Sequence, residues 1–183
     1  MDERRDQLRD AFRAAASALR DGGPDFALGG SYALWVHGGP EPVHDVDLVV
    51  AEDDVEAAAS TLAKAGFAIE RPPEDWLFKA TLDSALVDVL HRLNGIPVTA
   101  ATLSSAEVHS VLAIHTPVLP PTFVVSVKLR SLNEHYCDFA ALLPGVRAVR
   151  EQVDWNDVRK AVADNDFAVA FLTLLERLDI IGQ

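Results

Sequence analysis

The sequence predicts an α/β protein of the α+β kind: a small mixed β-sheet core with flanking helices over residues 1–120, followed by a helical C-terminal third over 121–183. Three observations carry that expectation. Short apolar or β-branched runs recur between residues 26 and 91, each closed by Gly, Pro or charged residues. Segments with apolar residues at helical spacing alternate with those runs. From Pro120-Pro121 onward the strand-like runs stop and helical spacing takes over.

Taken in order, residues 4–20 place Leu8, Phe12, Ala15, Ala16 and Leu19 on one helical face, and Asp21-Gly22-Gly23-Pro24 ends the pattern. Phe26-Ala27-Leu28 reads as a short strand that turns at Gly29-Gly30-Ser31 into a short helix, Tyr32–His37, broken by Gly38-Gly39-Pro40. Val46–Ala51 is a second strand, and Asp53–Ala65 a helix with Gly66 at its C-cap. Phe67–Glu70, Trp76–Leu82 and Leu86–His91 follow as strands separated by Pro72-Pro73 and Asp83-Ser84. In the last third, helices are expected from Thr122 through Leu132, over Glu134–Leu143 up to Pro144-Gly145, over Asp154–Ala163 and over Phe167–Leu178.

Composition bounds the partners. With 183 residues and 49% hydrophobic content the chain can bury a core without covalent staples. The lone Cys137 rules out a disulfide framework and a four-cysteine zinc site, and the mixed charges of the first ten residues are unlike a secretory leader, so a cytoplasmic location is expected. No apolar run approaches the roughly 18–20 residues that span a bilayer, and no membrane association is expected. A formal charge of −12 opposes broad, nonspecific binding to nucleic acid. The acid excess is uneven: residues 121–160 carry six Lys and Arg against five Asp and Glu, so any contact with RNA is expected there.

Chemistry concentrates in a few positions. Gly29, Gly30 and Ser31 stand at a strand-to-helix turn, which is either a plain tight turn or a place where a phosphate approaches backbone N–H groups. Thirteen residues separate Ser31 from Asp45-Val46-Asp47. On a strand, positions two apart face the same way, so Asp45 and Asp47 form either a solvated strand end or a pair of hard oxygen ligands suited to Mg²⁺. Asp88, within Leu86-Val87-Asp88-Val89-Leu90, either faces solvent at a sheet edge or joins that metal site.

Gly-Gly-Ser, a short helix and then Asp-x-Asp on a strand resembles the signature of the DNA-polymerase-β-like nucleotidyltransferases. Lys128-Leu129-Arg130-Ser131-Leu132 and the later Cys137-Asp138-Phe139 resemble the Lys and final Asp of the AbiEii-like and MenT-like toxin nucleotidyltransferases. The resemblance implies transfer of a nucleoside monophosphate from an NTP, ATP included, to an acceptor hydroxyl. By matching position it implies nucleotide binding by Gly29, Gly30, Ser31 and Lys128, Mg²⁺ held by Asp45, Asp47 and, if it reaches the site, Asp88, and catalysis by Asp45, Asp47, Lys128 and Asp138. It further implies a toxin–antitoxin setting, in which the acceptor end of tRNA is modified, translation stops and a cognate antitoxin is the partner. Other acceptors within the fold are a protein or a small molecule such as an aminoglycoside; a catalytically silent NTP- or partner-binding module is the reading from another class. The sequence departs from the family pattern before the first Asp, with Glu41 and Val43 where relatives often carry Arg and Ser or Thr. Lys128 and Asp138 also lie about 15 Å apart if one helix joins them, so a break near Asn133-Glu134 is needed for a shared site.

Among the remaining residues, the six histidines form no zinc-binding pair and His44 is the most site-like of them. Cys137 is expected to be a buried structural thiol, His135 and Tyr136 to pack between helices, and Trp35, Trp76 and Trp155 to be core or interface aromatics. Ser31 lacks the Gly-x-Ser-x-Gly elbow of a hydrolase nucleophile.

Overall fold

The computed structural model of the chain describes residues 2–182. The elements run α1 (Asp2–Gly22), β1 (Phe26–Leu28), α2 (Gly30–Val36), β2 (Val46–Val50), α3 (Val55–Lys64), β3 (Ala68–Glu70), β4 (Leu77–Leu82) and β5 (Ala85–Leu90). A small hairpin of β6 (Arg92–Leu93) and β7 (Ile96–Pro97), the short α4 (Ala100–Leu103) and a second hairpin of β8 (Glu107–Val111) and β9 (Ile114–Val118) follow. The rest is helical: α5 (Pro121–Arg130), α6 (Phe139–Val149), α7 (Trp155–Ala161) and α8 (Asp166–Arg177). Among the described residues no helix is long and apolar enough to cross a membrane.

Seven strands form one mixed sheet in the order β3-β4-β5-β2-β1-β9-β8. At its centre β2 is antiparallel to β1 and parallel to β5, while β9 joins β1 in parallel. Alternation sorts the central strands. Val46, Leu48 and Val50 on β2 and Val87 and Val89 on β5 are buried, whereas the intervening Asp47, Val49, Asp88 and Leu90 line a cleft. The α1 stripe of Leu8, Phe12, Ala15, Ala16 and Leu19 is wholly buried, and α1 packs on the sheet at β5 and β9 and beside α3. Helix α2 lies on β2 and is covered by α5 and α6.

All five expected strands form. The β8–β9 hairpin and the β6–β7 hairpin are additional, and β8 becomes one edge of the main sheet. Its turn places Leu112 and Ala113 at φ of 50° and 68°, positions where hairpins ordinarily signal themselves with Asn-Gly or Gly-Gly.

The helical third differs from the expectation in one place. The helix expected over Glu134–Leu143 is instead α6, starting at Phe139, and Pro144 lies inside it rather than ending it. Asn133 explains the shift: its side-chain oxygen accepts from the backbone N–H of His135 (2.9 Å) and Tyr136 (3.2 Å), closing a tight turn that competes with helix. The turn displays His135, Tyr136 and Cys137 to solvent, so the expected packing of His135 and Tyr136 and burial of Cys137 do not occur; Tyr136 is 76% exposed. Trp76 also departs from its expected core position, being 41% exposed beside the cleft, while Trp35 and Trp155 are partly buried against the core.

Candidate active site

The cleft has a volume of about 700 Å³ and is floored by the central strands. Gly29, Gly30, Asp45, Asp47, Asp88 and Lys128 all line it. Backbone geometry brings the first two motifs together: the Gly29 N–H donates to the Asp47 carbonyl at 2.9 Å, pinning the Gly-Gly-Ser turn to the start of β2. Gly30 has φ of +54°, and a Cβ there would lie 1.6 Å from Asp47 Oδ2. Both facts demand glycine. The first glycine, Gly29, is the N-cap of α2, and Ser31 therefore sits inside the helix and does not cap it.

Ser31 instead faces Lys128. The Lys128 ammonium donates to Ser31 Oγ at 3.0 Å across 97 residues of sequence, joining α5 to the glycine turn. The β2–β5 register sets Asp47 directly beside Asp88, and the β4–β5 register sets Lys79 on the other side of Asp88. Asp47, Asp88 and Lys79 thus form a row of charged positions across three adjacent strands, of which the two acids line the cleft.

Electrostatics mark the carboxylates as unsatisfied. Burial, reinforced by the negative charge of Asp45 and, less strongly, Asp88, pushes Asp47 up to about 7, although Lys128 and the Ser31 backbone N–H pull in the opposite direction. Asp88 is also raised, first by burial and then by Asp45, with Lys79 opposing. Its Oδ1 is buried without a hydrogen-bond partner. Among the described residues no group of three or more His, Cys, Asp or Glu side chains is placed to hold a metal ion. The donor set nevertheless fits Mg²⁺, which takes one or two carboxylates and completes its shell with water and substrate phosphates. An orphaned carboxylate oxygen and two carboxyl groups lifted chiefly by burial, with the negative charge of Asp45 adding to it, are what a hard cation would relieve.

Asp138 is not brought into the cleft. It is exposed, and its carboxylate accepts from the Ala141 N–H at 3.0 Å as the N-cap of α6. The break between Lys128 and Asp138 that the sequence required does exist, since α5 ends at Arg130. His44 is exposed on the loop before β2. Glu41, on the same loop, forms a two-pronged ion pair with Arg9 of α1 at 2.7 and 2.8 Å and is only 15% exposed. Trp76, Arg92, Asn94 and Phe123 are among the cleft residues that the sequence does not single out for a function. Arg92 stood next to the His91 strand end, and its pairing with Glu52 leaves no signature in sequence.

No protein-family model and no curated protein matches the chain by sequence. Solved structures do match it. The antibiotic-resistance factor ANT(2'')-Ia in solution aligns with TM-score 0.56 at 13% identity, over 93% of this chain and 94% of that one. The same factor in complex with adenylyl-2''-tobramycin gives 0.53 at 13% identity, over 90% and 97%. A nucleotidyltransferase-like protein from Paracoccidioides brasiliensis gives 0.55 at 13% identity, over 92% and 93%. At such identity the likeness establishes a shared fold: this chain has the mixed-sheet nucleotidyltransferase fold over nearly its whole length.

Proposed function

We propose that the protein is a Mg²⁺-dependent nucleotidyltransferase that moves a nucleoside monophosphate from an NTP to an acceptor hydroxyl. The observation that carries the reading is the convergence, in one cleft, of Asp45, Asp47 and Asp88 with the Lys128–Ser31 pair and the side-chain-free Gly29-Gly30 turn. Asp45 and Asp47 would hold the cation, with the unpartnered Oδ1 of Asp88 as acceptor of the hydroxyl proton. When bound, Mg²⁺ supplies charge neutralisation to the reacting phosphate oxygens. Lys128 contributes a point charge to the triphosphate, and Ser31 Oγ, already its partner, offers a hydroxyl beside it. The glycines let the phosphates approach the backbone.

The reaction balances simply. The acceptor oxygen forms a bond to the α-phosphorus, the bond from that phosphorus to the bridging oxygen breaks, pyrophosphate leaves, and the hydroxyl proton passes to a carboxylate or water. Catalysis of this kind is mostly positioning and electrostatics. Asp138 takes no part in the reading, because its carboxylate is committed to the start of α6.

The toxin-like reading, with the tRNA acceptor end as target and a cognate antitoxin as partner, draws little support from the basic segment. Arg150, Arg159 and Lys160 are engaged by Glu151, Glu176 and Asp157. The discriminating experiment incubates the protein with α-labelled NTPs and Mg²⁺ in the presence of tRNA, an aminoglycoside, or small hydroxylated acceptors. Transfer of label by the wild type and its loss in Asp47→Ala supports the reading; no transfer to any acceptor, or equal transfer by the variant, rejects it.

A further inference from the structure

A second cavity of about 420 Å³ adjoins the cleft, between the β6–β7 hairpin and helices α5 and α7. Leu93, Asn94, Phe123, Val127 and Arg130 line both cavities, so the two are continuous along one face of α5. The exposed surface of the second cavity is mainly apolar, although residues peculiar to it are evenly divided between apolar ones such as Ile96, Pro97 and Ala161 and polar ones such as Ser105, Ser126 and Asp157.

Its polar groups are largely spent inside the protein. Ser126 Oγ donates to the Thr122 carbonyl at 2.8 Å, and Ser105 Oγ donates to the Thr102 carbonyl at 2.7 Å. Thr122 Oγ1 accepts from the Asp154 N–H at 2.9 Å, and the Asn94 amide donates to the Val127 carbonyl at 3.0 Å. Asp157, the cavity's acid, is engaged by Lys160 at 3.1 Å. Arg130 is different. Its backbone carbonyl accepts from Asn165, but among the described residues its guanidinium has no ion pair or hydrogen bond, and it stands at the boundary of the two cavities.

A chamber of mainly apolar surface, with the hydroxyl protons of Ser105 and Ser126 bonded internally and a single acid that already has a lysine partner, offers little to hold a ligand rich in ammonium groups. It fits an apolar body with one negative group directed at Arg130. We infer that this cavity is the acceptor pocket and that the acceptor is an amphipathic hydroxy acid: an apolar ring or chain, one anionic group held by Arg130, and a hydroxyl reaching into the carboxylate cleft. The inference rests on the proposed nucleotidyl transfer for the word acceptor, while occupancy of the cavity is independent of it.

The test uses 8-anilinonaphthalene-1-sulfonate, an aromatic body with one negative charge, as a fluorescent probe of the full chain. One saturable site is expected, weakened at least tenfold by Arg130→Gln and lost in Ser126→Phe or Ala161→Trp, either of which fills the cavity. Mg–NTP binding by the two filled variants, measured by calorimetry, should stay within twofold of wild type. In label transfer to 2-hydroxy acids that carry an aromatic or alkyl side chain, the filled variants should raise the acceptor KM at least tenfold and leave the NTP KM unchanged. Probe binding that survives both filling substitutions, displacement of the probe by Mg–NTP, or transfer to an aminoglycoside or tRNA that filling does not affect would each overturn the inference. Failure of wild type to bind Mg–NTP at all would instead reject the nucleotidyltransferase reading and leave the probe result standing.

Discussion

Asp47 is held in an environment that favours its protonated form, and the consequence can be read as stability. Its folded value of about 7 lies above the ordinary 3.8, so the folded state binds this proton more tightly than the unfolded chain. The associated stabilisation is complete below about pH 4 and is lost as pH rises through 7. Asp47→Asn removes the penalty. The metal-free variant should therefore melt roughly 3–8 °C above wild type at pH 8 and close to it at pH 4, while losing nucleotidyl transfer; a variant that melts below wild type at pH 8 would mean the carboxylate stabilises the fold. Gly30 belongs to the same scale. Because a Cβ at that position would overlap the Asp47 carboxylate, Gly30→Ala should weaken Mg–NTP binding at least tenfold, read by calorimetry, with the far-UV circular dichroism of the folded protein retained.

At the scale of elements, α1 is tied to the site through the Arg9–Glu41 pair, which fixes the loop that delivers Asp45 to β2. Restoring the family-like residue by Glu41→Arg would place two guanidinium groups against each other. The expected outcome is a lower midpoint in denaturant titration and no gain in NTP affinity; tighter NTP binding would show instead that position 41 faces the nucleotide. Glu41 also illustrates what sequence could not convey. Its departure from the family pattern was visible, but the partner that explains it lies 32 residues earlier. The glycine turn, the Asp45–Asp47 strand and the α1 stripe were legible because each follows from local spacing. The β8–β9 hairpin was not, since its turn is built by Leu112 and Ala113 in a conformation that usually demands glycine. The start of α6 was missed although its cause is local: the Asn133 side chain bonds the backbone N–H groups two and three residues on, and apolar spacing alone does not weigh such a turn against a helix. Lys128 was found through motif order; its contact with Ser31 depends on how α5 crosses α2, which no spacing rule supplies.

For the whole molecule, the charge of −12 is not evenly idle. Three acids converge on the cleft, and Arg150, Arg159 and Lys160 are paired with neighbouring acids away from it, while Lys128 and Arg130 are cations facing the proposed ligands. Titration acts on the fold in two opposing directions. His37, half-buried at the end of α2 against the Leu119 carbonyl, is lowered from its ordinary value chiefly by burial, so its contribution is present above about pH 6.5 and is lost as pH falls. Asp47 penalises the opposite side. Bound Mg–NTP cancels only the Asp47 penalty, and the pH of maximum thermal stability should shift upward on adding it; a maximum that stays in place would separate Asp47 from the cation.

The most direct measurement of the central claim is calorimetric titration of Mg²⁺ with a non-hydrolysable NTP analogue at pH 7, repeated in buffers of different ionisation enthalpy. With Asp47 close to half protonated at that pH, cation binding should release roughly half a proton, seen as a buffer-dependent heat that disappears in Asp47→Asn. Binding that needs no Mg²⁺, or a heat that is the same in every buffer, would contradict the assignment of these carboxylates to a nucleotide-bound cation.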